Sequence, residues 1–123
     1  MTGNTISELA SELPEGVIVT DPDIVASYRQ DRAFDPDAGT ALAVARPTRT
    51  EEVQTILRWA TRHGIGVVPR GAGTGLSGGS TAVTGGIVLS TEKMRDITVD
   101  PVTRTAVAQP GLLNAEVKKA VAD

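Results

Sequence analysis

One segment of the sequence has the residue types and spacing that bind an anion. Nine of the thirteen glycines lie between Gly64 and Gly86, and residues 67–80 read VVPRGAGTGLSGGS. Because glycine adopts positive φ angles readily, successive backbone N–H groups of such a segment can turn toward one point. A concave row of amides binds phosphate. The pattern therefore predicts a phosphate-binding loop, to which Thr74, Ser77 and Ser80 add hydroxyl donors and Arg70 adds a positive charge.

Two common phosphate-binding motifs do not explain this loop. The spacing Gly73-x-Gly75-x-x-Gly78 matches the dinucleotide fingerprint, but the third glycine of that motif opens a helix. Residues 79–86 read GSTAVTGG and are poor helix formers. No Gly-Lys-[Ser/Thr] motif of a P-loop occurs. The remaining interpretation is a loop whose amides hold the anion without a helix; a flexible linker is the alternative, although the loop lies between two apolar segments.

The composition excludes most other chemistry. With no Cys and only one His, the chain has no thiolate nucleophile, no Cys-based metal site and no His-rich metal centre. Its net charge of -3 argues against nucleic-acid binding, and no apolar run approaches the length of a membrane-spanning helix, so we expect a cytoplasmic protein. The acidic region lacks the spacing of a calcium loop and is expected to form helix caps and solvated turns; its residues are Asp21, Asp23, Asp31, Asp35 and Asp37.

The elements that must position the loop alternate along the chain. The apolar spacing predicts helices that begin at a Thr5/Glu8 capping box, at Asp21-Pro22, at a Thr48/Glu51 capping box and at Asn114, with Gly64 ending the third. We expect His63 to interact with the dipole of that third helix, and Trp59 to pack in the core rather than to stack on an adenine. Strands are predicted at residues 17–19, 41–45, 65–68 and 87–89, and a hairpin at 97–99 and 105–108.

These residues together resemble a known family. The sequence resembles the FAD-binding domain of the FAD-linked oxidases, of the vanillyl-alcohol-oxidase and p-cresol-methylhydroxylase type. The matching residues are Arg46-Pro47-Thr48, Glu51-Glu52-Val53, His63-Gly64, residues 67–79, Gly86–Ser90 and Gln109-Pro110-Gly111. Within that family, the sequence looks most similar to the glycolate oxidase FAD subunit and D-lactate dehydrogenase group. Tyr28 and Asp31 resemble the segment that precedes the domain there. The resemblance covers about residues 24–123.

The resemblance implies a fold, a cofactor and a site. The fold is α+β: a small mixed sheet with flanking helices, followed by the start of a second, antiparallel sheet. Residues 1–39 would form an N-terminal extension, and residues 40–123 the first part of the FAD-binding domain. The cofactor would be FAD, held without a covalent bond to this loop because the loop contains no His. The implied binding residues are Pro69, Arg70, Gly71, Ala72, Gly73, Thr74, Gly75, Leu76, Ser77, Gly78, Gly79 and Ser80, with Pro110 and Gly111 as further contacts.

The activity implied by the resemblance is the oxidation of a small 2-hydroxy acid, such as glycolate or D-lactate, by hydride transfer to FAD. Family members are several times longer, and the last predicted helix is cut off at Asp123, the final residue of the sequence. We therefore expect the chain to be an N-terminal fragment. No catalytic residue is predicted within it. A non-catalytic fragment and a module for another nucleotide are the alternatives, and uncovered apolar surface makes an oligomer or partner subunits plausible.

Overall fold

The computed structural model describes residues 2–122. Met1, the first residue of the predicted extension 1–39, and Asp123, the last residue of the predicted domain 40–123, lie outside the described residues. The elements are α1 (Thr2–Ser11), β1 (Ile18–Val19), α2 (Pro22–Ser27), β2 (Ala43–Ala45), α3 (Thr50–His63), β3 (Val67–Arg70), β4 (Ile87–Ser90), β5 (Ile97–Asp100), β6 (Thr105–Ala108) and α4 (Asn114–Ala120). A four-stranded mixed sheet and a separate antiparallel pair, β5–β6, confirm the predicted α+β fold.

The strand order of the mixed sheet determines the path of the glycine-rich segment 71–86, called the glycine loop below. The order is β1-β2-β4-β3, in which β2, β4 and β3 are parallel and β1 is antiparallel to β2. Parallel neighbours need a crossover connection, which is usually a helix. Helix α3 connects β2 to β3, but β3 and its parallel neighbour β4 are joined by the loop 71–86 alone. The loop therefore crosses from the carboxyl ends of the strands back to their amino ends without helical structure.

Apolar side chains cover both faces of this sheet. On one face, α1 and α3 pack against β2 and β4 in a cluster of ten buried residues: Ile6, Leu9, Val17, Ala43, Ala45, Ile56, Trp59, Ala60, Ile87 and Leu89. On the other face, Val25 of α2 and Ala82 of the loop pack against Val44 and Val88. Successive residues of β2 and β4 thus point to opposite faces, as the two-residue period of a strand requires. The glycine loop itself supplies part of the second layer.

Helix α3 ends as predicted but begins differently. Gly64 has a φ of 64°, the left-handed conformation that glycine adopts without strain, and its N–H donates to the carbonyls of Ala60 and Thr61. The predicted Thr48/Glu51 capping box is wrong. The buried carboxylate of Glu52 accepts the N–H of Thr48 at 2.7 Å and its hydroxyl at 3.1 Å, so that the N-cap is Arg49.

Other predicted boundaries shift by a few residues. Helix α1 begins at Thr2, not at Thr5, because no proline or turn interrupts the helix there. Strand β2 begins at Ala43 rather than at 41. Strand β3 covers 67–70 rather than 65–68, and its Pro69 is tolerated because β3 is an edge strand. Leu113, not Asn114, is the N-cap of α4, where the carboxylate of Glu116 accepts the Leu113 N–H.

The only tryptophan packs in the core, as expected. Trp59 is fully buried and its indole N–H donates to the carbonyl of Thr5 at 3.1 Å, so it holds α1 against α3. His63 lies in the last turn of α3, as predicted, with its ring 5.5 Å from that of Trp59. Its Nε2 is 3.8 Å from a carboxylate oxygen of Glu8 on α1.

We expect Trp59→Ala to lower the free energy of unfolding by about 3–5 kcal/mol, because it removes the largest buried side chain and leaves a cavity. Urea unfolding followed by circular dichroism measures this loss. The control is Leu57→Ala on the same helix, where the side chain is 45% exposed; this change should cost clearly less. Equal losses in the two variants would contradict the assigned role of Trp59.

Candidate cofactor-binding site

The glycine loop has two parts with different hydrogen bonding, an outgoing limb (71–77) and a return limb (78–86). No helix forms in either limb, as the sequence predicts. Within the described residues 2–122, no backbone N–H of the outgoing limb donates to a protein acceptor. The limb is held instead through a carbonyl, that of Gly75, which accepts the N–H of Arg32 at 2.8 Å. Its amides are therefore available to an external anion.

The return limb is fastened to the segment that follows α2. The N–H of Ala82 donates to the carbonyl of Arg29 at 2.9 Å, and the carbonyl of Ala82 accepts the N–H of Gly39 at 2.8 Å. A Cβ on Gly39 would lie 2.2 Å from the backbone nitrogen of Thr84, so glycine is required for this close approach. These contacts fix the limb that carries Ala82 into the core.

The carboxylate of Asp31 binds the point where the two limbs meet. Asp31 is only 3% exposed, and it accepts the N–H of Ala33 at 2.9 Å and that of Ser80 at 3.2 Å, while the N–H of Gly78 also interacts with it. The bond from Ala33 is the main cause that lowers the pKa of Asp31, and the bonds from Ser80 and Gly78 and the charge of Arg70 lower it further. The expectation that Asp31 lies in a solvated turn is therefore wrong.

The one positive charge predicted for the loop is turned toward the protein. Arg70, the last residue of β3, donates to the carbonyl of Gln30 at 2.7 Å, and its guanidinium lies 5.4 Å from the ring centroid of Tyr28. The hydroxyl of Tyr28 donates to the carboxylate of Glu92, and burial, followed by this hydrogen bond, raises the pKa of Tyr28. Arg70 thus joins the start of the loop to the segment after α2.

A cleft of about 620 Å³ opens at the carboxyl ends of the parallel strands. Its walls are the end of β3 with the first loop residues, the turn after β4, and residues 110–114. Open α/β sheets bind ligands at this edge. Gly111 sets the spacing between two walls: its N–H donates to the carbonyl of Met94 at 2.8 Å, and a Cβ there would lie 2.3 Å from the carbonyl oxygen of Thr91.

The structure brings some of the predicted binding residues together and separates others. Arg70, Gly71, Ala72, Pro110 and Gly111 line this one cleft. Gly73 lines a second cleft of about 510 Å³ beside Asp31 and Phe34.

The remaining predicted residues lie outside both clefts. Pro69 belongs to β3, and its carbonyl accepts the hydroxyl of Ser80 at 3.3 Å, so that this hydroxyl is already engaged. Thr74, Gly75, Leu76, Ser77 and Gly79 are exposed, and Gly78 is half-buried with a φ of 80°.

The residues that shape the loop from outside were missed by sequence reasoning. Nothing in the sequence separates Asp31 from Asp35 or Asp37, and its partner Ser80 is 49 residues away. The contact between Tyr28 and Glu92 spans 64 residues. Only the resemblance of Tyr28 and Asp31 to the segment before the domain pointed to this region.

Comparison with known proteins identifies the family. The sequence profile described as "FAD binding domain" matches residues 41–123. The chain belongs to this family. The predicted resemblance is therefore confirmed, and FAD is the cofactor of the domain.

Curated relatives of the FAD binding domain family extend the comparison. D-2-hydroxyglutarate dehydrogenase of Stutzerimonas stutzeri is 36% identical over 121 residues, which is 96% of this chain and 25% of the relative. D-lactate dehydrogenase of Archaeoglobus fulgidus is 46% identical over 77 residues, 63% of this chain and 17% of the relative. Glycolate oxidase subunit GlcD of Escherichia coli is 42% identical over 82 residues, 66% of this chain and 16% of the relative. The chain spans a quarter or less of the length of these relatives.

A solved structure shows the same fold. The 4-ethylphenol oxidase of Gulosibacter chungangensis superposes with a TM-score of 0.85 and 29% identity, over 99% of this chain and 24% of that one. Among residues 2–122, no helix is long and apolar enough to cross a membrane, and no group of His, Cys, Asp or Glu side chains could hold a metal ion.

The residues of the loop fit the diphosphate of FAD. The outgoing limb offers backbone N–H groups without protein acceptors, and these groups are the donors that bind phosphate oxygens. The carboxylate of Asp31, which lies beside the loop, is occupied by amides of the protein, and the charge of Arg70 lies close to it. FAD would thus meet amide donors on the outgoing limb.

We expect Gly73→Val to abolish FAD uptake or weaken it at least tenfold. Gly73 has a φ of 74°, which side chains rarely adopt, and a Cβ there would lie 2.1 Å from Nη2 of Arg70. Titration of the apoprotein, followed by quenching of FAD fluorescence, gives the dissociation constant. The control is Gly66→Val, since no atom lies within 4 Å of a Cβ at Gly66. Equal affinity of the two variants would show that the conformation at Gly73 is not needed.

We also expect the stabilising effect of Asp31 to depend on pH. Since folding lowers the pKa of Asp31 below its ordinary value of 3.8, the ionised carboxylate stabilises the folded chain fully above that value. The stabilisation is lost as the pH falls through the lowered pKa. Urea unfolding at neutral pH and at pH about 3 should therefore show a smaller difference between wild type and Asp31→Asn at the lower pH. A difference that stays constant or grows would contradict the assigned pKa direction.

Proposed function

We propose that this chain is the FAD-binding part of a flavin-dependent oxidoreductase that oxidises a small 2-hydroxy acid, with glycolate, D-lactate and D-2-hydroxyglutarate as the leading substrates. The observation that carries this proposal is the outgoing limb with its available amides at the carboxyl edge of the parallel strands, in a chain of the FAD binding domain family. The names of three relatives support the substrate class, because lactate, glycolate and 2-hydroxyglutarate share a hydroxyl group beside a carboxylate.

The contribution of this chain is to bind and orient the cofactor. The amides from Gly71 to Ser77 would hold the diphosphate, and the hydroxyls of Thr74 and Ser77 would add donors on the same limb. Pro110 and Gly111 would form the opposite wall of the cleft. FAD, when bound, accepts a hydride from the carbon that carries the substrate hydroxyl. No residue of this chain is assigned a role in moving the substrate proton.

The extent of the domain and its partners belong to the same proposal. We place the FAD-binding domain at residues 40–123 and its N-terminal extension at residues 1–39. Ile6, Leu9 and Val17 of the extension lie in the main core cluster, so the extension supports the domain directly. The relative named as a glycolate oxidase subunit supports the presence of partner subunits.

The test is substrate-dependent reduction of the flavin in the intact protein. Under anaerobic conditions, glycolate, D-lactate and D-2-hydroxyglutarate are added separately, with 4-ethylphenol as the alternative substrate. We expect at least one hydroxy acid to bleach the visible flavin absorbance, whereas 4-ethylphenol leaves it unchanged. Reduction of the flavin by 4-ethylphenol alone would contradict the proposed hydroxy-acid substrates and would favour a phenol as the substrate.

Cofactor identity is tested separately. Purified protein should carry a yellow chromophore that denaturation releases as FAD. A colourless protein that takes up no added FAD would favour the non-catalytic alternative. Binding of an ATP analogue in place of FAD would favour a module for another nucleotide.

A further inference from the structure

We propose that Asp31 is a positioning residue for the cofactor: its carboxylate fixes the return limb so that the amides of the outgoing limb converge on the diphosphate before FAD arrives. This inference rests on the proposed FAD-binding role of the loop. The positioning role then belongs to a side chain outside the glycine loop, on the segment that follows α2.

The geometry places Asp31 at the junction of the two limbs. One carboxylate oxygen accepts the N–H of Ala33, which fixes the turn of its own segment, and the other accepts the N–H of Ser80. Gly75, on the outgoing limb, is near enough that a Cβ there would lie 3.6 Å from the second oxygen. The next residue, Arg32, bonds to the carbonyl of Gly75. Two consecutive residues therefore hold both limbs.

The charge of Asp31 explains why a carboxylate is used for this purpose. Backbone N–H groups that point inward in a glycine-rich loop need an acceptor, and hydrogen bonds to an ionised acceptor are the stronger ones. With Gly78 and Ser80 turned toward Asp31, the amides of the outgoing limb keep no protein acceptor of their own. Arg70 lies close enough to lower the pKa of Asp31, so that its positive charge offsets a carboxylate near the phosphate site.

A matched residue in the same segment separates positioning from local turn formation. Asp35 also accepts a backbone N–H two residues ahead, that of Asp37, at 2.9 Å. The side chain of Asp35 is exposed and makes no contact with the glycine loop among the bonds of residues 2–122. Both aspartates thus form the same local turn, and only Asp31 reaches the loop.

The first experiment compares Asp31→Asn, Asp31→Ala and the control Asp35→Asn in the intact protein. We expect the dissociation constant for FAD, measured by fluorescence quenching on folded apoprotein, to rise about tenfold or more for Asp31→Asn and further for Asp31→Ala. Asp35→Asn should stay within about twofold of wild type. At saturating FAD, the control Asp35→Asn should also reduce its flavin at the wild-type rate, because its side chain is exposed and makes only a local turn. Unchanged FAD affinity in both Asp31 variants would overturn the proposal.

The second experiment uses the wild-type protein and remains decisive if the variants do not fold. Amide-resolved hydrogen exchange of the apoprotein should show Gly78 and Ser80 protected, whereas the amides from Gly71 to Ser77 exchange fast. Addition of FAD should slow the second group and leave the first protected. Fast exchange at Gly78 and Ser80 without FAD, or deprotection of these amides by FAD, would overturn the proposal.

The two proposals fail in different ways. If wild-type protein binds no FAD, the proposed function fails, whatever the exchange at Gly78 and Ser80. If wild type binds FAD and the Asp31 variants bind it equally well, only the positioning role fails.

Discussion

The parallel pairing of β3 with β4 is the constraint on which the rest of this structure depends. When two adjacent strands are parallel, the chain must pass from the carboxyl end of the first strand back to the amino end of the second. Most proteins use a helix for this connection. Here α3 already covers one face, and the return runs over the other face as a glycine-rich loop. Such a loop lacks the internal hydrogen bonds of a helix. Its backbone groups must then bond to other parts of the protein, to water or to a ligand.

The charged side chains near the loop show how this requirement is met. Arg70 and Asp31 could have been used for direct ligand contacts, yet both bond to backbone groups of the protein. Arg70 fastens the beginning of the loop and Asp31 its middle. In the site that we propose, neutral N–H groups would therefore recognise the anion. These groups bring no side-chain entropy into the site and can approach a phosphate closely, which is the advantage of building the site from glycine.

Local signals in the sequence were sufficient to predict much of the fold. The contacts between residues distant in the sequence could not be predicted from them. Gly64 and the β5–β6 hairpin were predicted correctly because their patterns involve residues close in the sequence. The beginning of α3 was wrong because Glu51 and Glu52 are both compatible with a cap, and burial selects Glu52. The glycine loop was identified from composition. The role of Asp31 in holding it could not be identified, since five aspartates in residues 21–37 have similar local surroundings.

The contact at Gly111 has a mechanical consequence for the cleft. The two walls that meet there touch backbone to backbone, with no side chain between them that could rotate or be exchanged for a smaller one. The main chain therefore sets the width of the cleft at this point, whereas the side chains of neighbouring residues determine its chemical lining.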